Sequence, residues 1–585
     1  MLICGVKVSH DGGVALIEDN RLIFSVEIEK LNNGHRYSRL GDLDIVREIL
    51  ERENVDIRDI DRFVVDGWCT EDADDFDLGS TEPCVLRSNY RGEPTALRAA
   101  PYQDRPGVRA PLHRYSFDDH DFGESAGYTS YHHVSNHLIG AYTSSPFAQR
   151  GEDSFVLVWD GGTAPRLYQV AAETRTVHFL ATLMPITGGA FSDFCLQFDP
   201  FRTNPEGLST DVLMRQGLST AGKAMAYAAL GRVEESAFSV FDEFLASFHD
   251  LSPHNAKRIA EKVAANRQEL FPGLTDADLI ATFQAYLGNT LLTRLSTVLR
   301  RLRGRGMSSP AKRGEPRPNL ALAGGCALNI KWNSAIRRSG LFEEVWIPPF
   351  PNDSGAAIGT ASCEMFGEGG HLAMDWDVHS GPRVAVGTLP AAWTATPCDE
   401  RQVAELLHTQ GEPVIVLSGR AEIGPRALGN RSILAPATDA AMKDRLNKIK
   451  NRAGYRPVAP ICLTSRAAEV FSPGGSDRYM LFEHTPRREW AERIPAVIHL
   501  DGTARLQTID ESHNSATGRI LAAYERLSGI PVLCNTSANF NGKGFFPDVS
   551  SAAAWGGARC IWSEGVLYTD SRIRAEAPFP ENTVN

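Results

Sequence analysis

The sequence contains no Cys-x-x-Cys pair. Its ten cysteines (Cys4, Cys69, Cys84, Cys195, Cys326, Cys363, Cys398, Cys462, Cys534 and Cys560) are scattered along 585 residues. That spacing gives neither a zinc–cysteine site nor a disulfide framework, so a reduced, cytosolic protein is expected. No apolar run approaches the roughly 20 residues that a membrane span needs. Met1-Leu2-Ile3-Cys4-Gly5-Val6 runs straight into a strand pattern without the basic n-region of a signal peptide. Neither the Walker spacing nor the Rossmann Gly-x-Gly-x-x-Gly occurs. An excess of basic charge is also missing. Sixty Lys and Arg face 72 Asp and Glu, for a net charge of -12. This argues against bulk nucleic-acid binding, which calls for a broad basic face. The length exceeds what one core supports, so two or three domains are expected.

Against that acidic background one stretch stands out. From Gly419 to Pro460, Arg420, Arg426, Arg431, Lys443, Arg445, Lys448, Lys450, Arg452 and Arg456 face only Glu422, Asp439 and Asp444. Several of these cations adjoin Gly or Pro, as in Gly424-Pro425-Arg426 and Arg456-Pro457, where backbone shape is fixed. An Arg fork matches two oxygens of a phosphate or carboxylate. A site for a small phosphorylated or carboxylated ligand is expected here. Lys443, Arg445 and Lys448 follow a helical pattern and read as solvated helix surface.

The N-terminus reads as a strand (Leu2–Val8), a turn Ser9-His10-Asp11-Gly12-Gly13, and a hairpin through Val14–Ile17 and Leu22–Val26. The same grammar returns at Phe155–Trp159, Asp160-Gly161-Gly162-Thr163 and Arg166–Val170, about 150 residues later. Two such units suggest a duplicated α/β fold of the actin–hexokinase–Hsp70 kind, with two unrelated hairpins as the alternative. Residues 70–125 lack helical periodicity and read as a long loop or insertion, a lid over a pocket. Within it Asp118, Asp119, His120 and Asp121 read as a solvated acidic loop rather than a metal cluster. Helical patterns dominate 234–304, and 304–318 reads as a linker. Asn319–Ala323 reads as a buried strand delivering Gly324-Gly325-Cys326-Ala327-Leu328-Asn329. A small-residue helix follows at 354–361. From about Gln402 a helix–strand pattern restarts.

His133 and His137 lie four apart and share one helix face, a spacing that can chelate a metal. Val134 stands where a zincin needs Glu, which excludes that metalloprotease class. Helix-face packing is the competing reading, and Asp353, ahead of a Gly-rich helix, is the candidate third ligand. The Gly turns at Gly161-Gly162 and Gly324-Gly325 can bring backbone N–H groups close to phosphate, with Lys223 adding charge; tight packing is the alternative for each. Near the C-terminus Val532–Asn539 reads as a strand opening into a hydroxyl and amide loop, where Ser537 can donate to an oxyanion. Arg505 lies on a turn in Asp501-Gly502-Thr503-Ala504-Arg505.

Together, HDGGVAL with VEIEK, His133/His137, STAGKAMAYAALG, GGCALNIKWN, PPFPNDSGAAIG, GPRALGNRSILA, KIKNRAGYRPVAP, DGTARLQT and NTSANFNGKG span almost the whole chain. In this order they resemble the NodU/CmcH/TobZ family of O-carbamoyltransferases. The resemblance implies an α/β protein: a duplicated actin-like, TsaD-like domain over 1–385, then an α/β YrdC/TsaC-like domain over 395–575. It implies that carbamoyl phosphate and ATP, with Mg(II), give carbamoyl-adenylate in the second domain. A hydroxyl of a small secondary metabolite then takes the carbamoyl group in the first. Carried over by position, Arg426, Lys450, Arg456, Arg505 and Ser537 bind carbamoyl phosphate and ATP. His133, His137 and Asp353 hold a metal, iron(II) in the family, with another divalent ion open. Gly162, Lys223, Gly324, Gly325 and Asn329 line the adenylate. His10 sits where the acceptor hydroxyl is deprotonated, with a hydrogen-bonded turn histidine as the alternative. No nucleic acid and no membrane is implied.

The chain departs from the family pattern at Leu31–Arg36, which is expected to face the acceptor, and after the NTS loop at Ala538, Lys543 and Gly544. Three other readings compete: an actin-like ATP phosphotransferase such as a sugar kinase, a tRNA-modifying relative of TsaD, and a non-catalytic regulator. The kinase reading accounts for the Gly turns but not for the Arg-rich second half.

Overall fold

The strand Leu2–Lys7 is buried along nearly its whole length, as a strand central to a covered sheet must be. In a computed structural model, which describes residues 1–68, 84–90, 93–118, 120, 122, 127–204, 206–248, 254–304, 317–511 and 515–572, it lies within a six-stranded sheet. The strand order is Arg21–Glu27, Gly13–Glu18, Leu2–Lys7, Arg62–Asp66, Tyr128–Tyr131, Tyr115–Phe117. The first three strands run antiparallel, and Arg62–Asp66 and Tyr128–Tyr131 join parallel to Leu2–Lys7. A second sheet repeats this plan. Thr176–Thr182, Arg166–Ala171 and Ser154–Val158 are antiparallel, followed by Asn319–Ala323 and Val345–Trp346 in parallel. The two strand–Gly-turn–hairpin patterns are therefore copies of one topology, as a duplicated actin-like unit requires.

The chain divides into two compact units. One comprises Met1–Ile28 and Tyr37–Asp377, the other Glu29–Arg36 and Val378–Asn585. The second unit thus takes in an N-terminal piece that the sequence reading placed in the first. Its eight-stranded sheet runs Trp393–Pro397, Val566–Asp570, Cys560–Ser563, Val414–Leu417, Arg431–Pro436, Val532–Ser537, Ala459–Leu463, Gln507–Ile509. Buried aliphatics such as Ile415, Ile433, Ile461, Leu533 and Ile561 line its core with the helices Glu400–Gln410 and Ala516–Ser528.

In the first unit the helix His133–Thr143 is buried all round, and it packs on the helix Ala356–Gly367. The approach is close enough to require glycine. A Cβ on Gly359 would come 2.2 Å from the Asn136 carbonyl oxygen. This contact brings the start of one helix, with His133, beside Asp353 in the turn Asp353–Gly355 that leads into the other.

The reading of 70–125 as one long loop is corrected for the described residues. Cys84–Tyr90 pairs with Glu93–Ala99 across a two-residue connection, and Tyr115–Phe117 adds a strand to the first sheet. Local antiparallel pairing needs no helical periodicity, so the lack of that period does not make a segment a loop. Asp118 is exposed, while Asp119 and Asp121 lie outside the described residues, as does 305–316 of the linker. The helices expected over 234–304 appear as Phe238–Ala246, Asn255–Ala265, Arg267–Leu270 and Asp276–Gly304. No helix among the described residues is long and apolar enough to cross a membrane.

Candidate functional site

Ligand sites in sheets of this kind form at the carboxyl ends of parallel strands. Lys7 ends Leu2–Lys7 and His10 follows it, Asp66 ends Arg62–Asp66, His133 follows Tyr128–Tyr131, and Asp160 follows Ser154–Val158. The His133 and His137 Nε2 atoms lie 3.1 Å apart. Asp353 Oδ1 is 3.5 Å from the first and 3.4 Å from the second. Asp160 completes the group, 3.7 Å from His133 Nε2 and 3.8 Å from His137 Nε2. All four residues are buried, and one ligand atom from each falls within 4.8 Å of the others. Atoms held about 2.1 Å from one ion stand about 3.0–3.4 Å apart, so the histidines and Asp353 fit a metal with little rearrangement.

The surroundings favour a cation. His133 Nδ1 donates to Asp66, 3.0 Å from each carboxylate oxygen. This leaves the Nε2 lone pair facing the group, the usual arrangement behind a metal-binding histidine. Lys7, fully buried, bonds Asp66 at 2.7 Å and pairs with Asp353 at 3.0 Å. Burial alone would raise the Asp66 carboxyl, but His133 and Lys7 outweigh it and bring its pKa to about 2. Burial likewise opposes charge on His133, yet Asp66 and Asp353 hold its pKa well above the ordinary value. Apart from the histidines, one ammonium faces the three carboxylates Asp66, Asp160 and Asp353. The charge left over matches a divalent ion.

His10 is buried beside this group, its Nε2 3.6 Å from Asp353 Oδ2 and its Nδ1 2.9 Å from Asp11 Oδ2. With Nδ1–H donating to Asp11, the Nε2 lone pair is free to accept a proton. The Trp68 ring meets His10 and His133 edge-on, with centroids 4.9 and 5.1 Å away. The glycine turns converge on Asp160. Gly325 N–H donates to its Oδ1 at 2.6 Å, and Tyr102 donates its hydroxyl to Oδ2 at 2.6 Å while accepting from Gly162 N–H at 3.1 Å. Gly324 precedes Gly325 at the end of Asn319–Ala323. Asn329 caps the helix Ile330–Arg338, its side chain accepting from the N–H groups of Lys331 and Trp332. Lys223 lies on the helix Thr210–Tyr227 with its ammonium 2.9 Å from Ser219 Oγ.

In the second unit the basic stretch divides. Arg431 is buried and its guanidinium binds the carbonyls of Ser418, Asn430, Pro382 and Gly419, a structural use. The helix Ala441–Ile449 carries Lys443, Arg445 and Lys448 as expected, but of the three only Lys448 is exposed: Arg445 keeps 16% of its side chain exposed and pairs with buried Glu412 at 2.7 Å, which corrects its reading as solvated surface. Past its end, Asn447 accepts from Arg452 Nε and donates to the Arg456 carbonyl at 3.0 Å, fixing the loop that presents both arginines. Burial and the neighbouring Arg456 push Arg452 down to about 9. Burial with Arg452 and Arg456 pushes Arg505 down to about 10, opposed only by Asp477. Arg505 Nε is buried without a hydrogen-bond partner.

Lys450 is placed differently from a free phosphate ligand. It is buried, and its ammonium lies on Ser537 (carbonyl, and Oγ at 3.1 Å) and on Asn539 (carbonyl at 3.0 Å, Oδ1 at 2.7 Å). Burial, then Arg452, Arg456 and Arg36, hold its pKa well below the ordinary lysine value. Arg426 is half-buried on the loop 422–431. Buried cations crowded around Arg452 and Arg456, with few acids near them, make a site for a polyanion.

Lys7, Asp66 and Tyr102 were absent from the sequence reading, and Asp160 was read only as part of a phosphate turn. A lysine and an aspartate ending otherwise apolar strands were the available signal for Lys7 and Asp66.

The model for the carbamoyltransferase N-terminus matches residues 2–362, and that for the carbamoyltransferase C-terminus matches 404–558. Nodulation protein U of Sinorhizobium fredii is 43% identical over 583 residues, covering 97% of this chain and 99% of that protein. The 3'-hydroxymethylcephem-O-carbamoyltransferase of Streptomyces clavuligerus is 32% identical over 583 residues (96% and 97%). The enzyme of that name from Amycolatopsis lactamdurans is 31% identical over 578 residues (98% and 97%). The chain belongs to the carbamoyltransferase family.

Proposed function

We propose that this member of the carbamoyltransferase family is an ATP-dependent O-carbamoyltransferase acting on a hydroxyl of a small secondary metabolite. The observation that carries this reading is the pairing of two buried charge clusters of opposite sign, one in each unit. The guanidiniums of the second unit suit carbamoyl phosphate and the triphosphate of ATP with Mg(II). Atom balance sets the first step: water releases phosphate from carbamoyl phosphate, and the carbamate oxygen then displaces pyrophosphate from the ATP α-phosphate. Arg426, Arg456 and Arg505 hold the phosphates as charge develops. Lys450 holds the Ser537 loop in place. The second unit on this reading is YrdC-like.

The first unit consumes the adenylate. His133, His137 and Asp353, with Asp160 added, hold a divalent metal, iron(II) on the family resemblance and on the two-histidine, carboxylate donor set. When bound, that ion supplies positive charge for the adenylate phosphate. Gly162, Gly324 and Gly325 lie where their backbone can approach the nucleotide. Asn329, serving as a helix cap, keeps that turn in shape, and Lys223 provides a further cation. His10 takes the proton of the acceptor hydroxyl at Nε2 while Asp11 holds the ring. The hydroxyl oxygen attacks the carbamoyl carbon, and AMP leaves.

The test is the product set from ATP and carbamoyl phosphate. Release of both pyrophosphate and phosphate, with a one-carbamoyl mass gain on an acceptor, is expected. ADP formation instead would support the phosphotransferase reading.

A further inference from the structure

The segment Glu29–Arg36 comes from the N-terminal sequence but folds with the second unit. Lys30, near its start, is only 2% exposed. Its ammonium donates to the backbone carbonyls of Glu422 and Gly424, both at 2.7 Å. It also lies 5.2 Å from the centre of the Phe545 ring. Burying an ammonium is costly, and an apolar side chain of similar volume fills such a space at lower cost. A lysine here, in a unit already crowded with cations, therefore calls for a use of its hydrogen bonds.

That use is visible in the turn it holds. The Glu422 carboxylate grips the far end of the same loop. Its Oε1 accepts from the N–H groups of Leu428 and Asn430 at 2.7 Å each, and of Arg431 at 3.1 Å. Residues 422–431 are thus pinned at both ends, with Arg426 between the pins.

The segment itself is locked to the stretch after the NTS loop. Gly544 N–H donates to the Gly34 carbonyl at 2.9 Å, Arg36 N–H donates to the Gly542 carbonyl at 3.0 Å, and His35 pairs with Lys543. A Cβ on Gly544 would lie 1.8 Å from the Glu29 carbonyl oxygen, so this contact admits only glycine. The two stretches whose sequences depart from the family pattern therefore lie against each other.

We propose that Lys30 is a positioning residue for the anion site of the second unit. By fixing the carbonyls of Glu422 and Gly424 it sets the Gly424-Pro425-Arg426 backbone, so that the Arg426 fork meets a ligand phosphate in one geometry. This rests on the reading of that unit as the site of carbamoyl phosphate and ATP.

The experiment measures carbamoyl phosphate-dependent pyrophosphate release by the full chain and its Lys30 variants. Lys30→Met is expected to raise KM for carbamoyl phosphate by about tenfold or more, with a smaller change in kcat. Lys30→Arg, whose fork can reach both carbonyls, is expected to recover most of the loss. A Lys30→Met protein that melts lower yet keeps the parent KM overturns the proposal. If Lys30→Met does not fold, Lys30→Gln decides: a KM raised about threefold or more supports the proposal, and the parent KM overturns it. A parent that releases no pyrophosphate means that the functional reading has failed. The Lys30 proposal then stands or falls on calorimetric binding of inorganic phosphate. Binding about fivefold weaker or more in Lys30→Met supports it, and equal binding overturns it.

Discussion

The two charged clusters are built in opposite ways. In the first unit, acids gather around two histidines, and the buried lysine beside them is matched to Asp66 and Asp353 at hydrogen-bond distance. In the second, burial and then Arg452 and Arg456 lower the proton affinity of Lys450 and Arg505, burial and Arg456 lower that of Arg452, and Asp477 is the acid that pulls back on Arg505. A folded chain tolerates either imbalance only if something completes it. The sign of the surplus names the missing charge, a cation in the first unit and a polyanion in the second. Neither cluster alone would distinguish a carbamoyltransferase from a metal-binding or a phosphate-binding protein. The two together fit a reaction that makes an activated mixed anhydride with a phosphate and then uses it.

The sharpest way to break this comparison is to remove a cation whose loss leaves the first cluster untouched. Arg456→Ala is expected to cut pyrophosphate release by about 1000-fold, with metal content by mass spectrometry unchanged. Unaltered release would remove the second cluster from the chemistry. The reverse cut comes next. His10→Asn should slow carbamoyl transfer by about 100-fold or more while pyrophosphate release and metal content persist. Loss of metal in that variant would make His10 a ligand rather than a base. Asp66→Asn is milder. An amide that no longer anchors the His133 Nδ1 proton should weaken metal binding by about 10–100-fold, measured by chelator competition.

The smallest effect lies in the pH dependence. Lys450 has a folded pKa well below its ordinary 10.5. Between those two values the unfolded chain holds more protons than the folded one, so stability rises with pH there. As pH rises toward 10.5, the parent melting temperature should gain about 1–3 °C on Lys450→Met, and saturating phosphate should erase that gain. A parent that loses ground to the variant as pH rises would reverse the sign assigned to Lys450.

The parts legible in the sequence were those carried by local patterns. Spacing alone put His133 and His137 on one helix face, and the repeated strand–Asp-Gly-Gly–hairpin marked the duplication that the two sheets display. The basic loop stood out by composition, and the helical period within it separated Lys443, Arg445 and Lys448 from the cluster. What escaped depends on long-range pairing. Lys7 and Asp66 end neighbouring parallel strands separated by a crossover, so nothing local joins them. Tyr102 reaches Asp160 from a stretch that showed no helical period. Asn329, which the resemblance assigns to the adenylate, also caps the helix Ile330–Arg338, a use its sequence position does not announce. The passage of Glu29–Arg36 into the second unit has no local signature, since its partners at Glu422, Gly424 and Gly542–Gly544 lie hundreds of residues away.

The central claim is that the two clusters do separable work, and one protein variant tests it directly. His133→Ala, assayed with ATP and carbamoyl phosphate while its metal is measured by mass spectrometry, should lose the ion and keep releasing pyrophosphate. A variant that retains the parent's metal, or that loses pyrophosphate release along with it, would contradict the account.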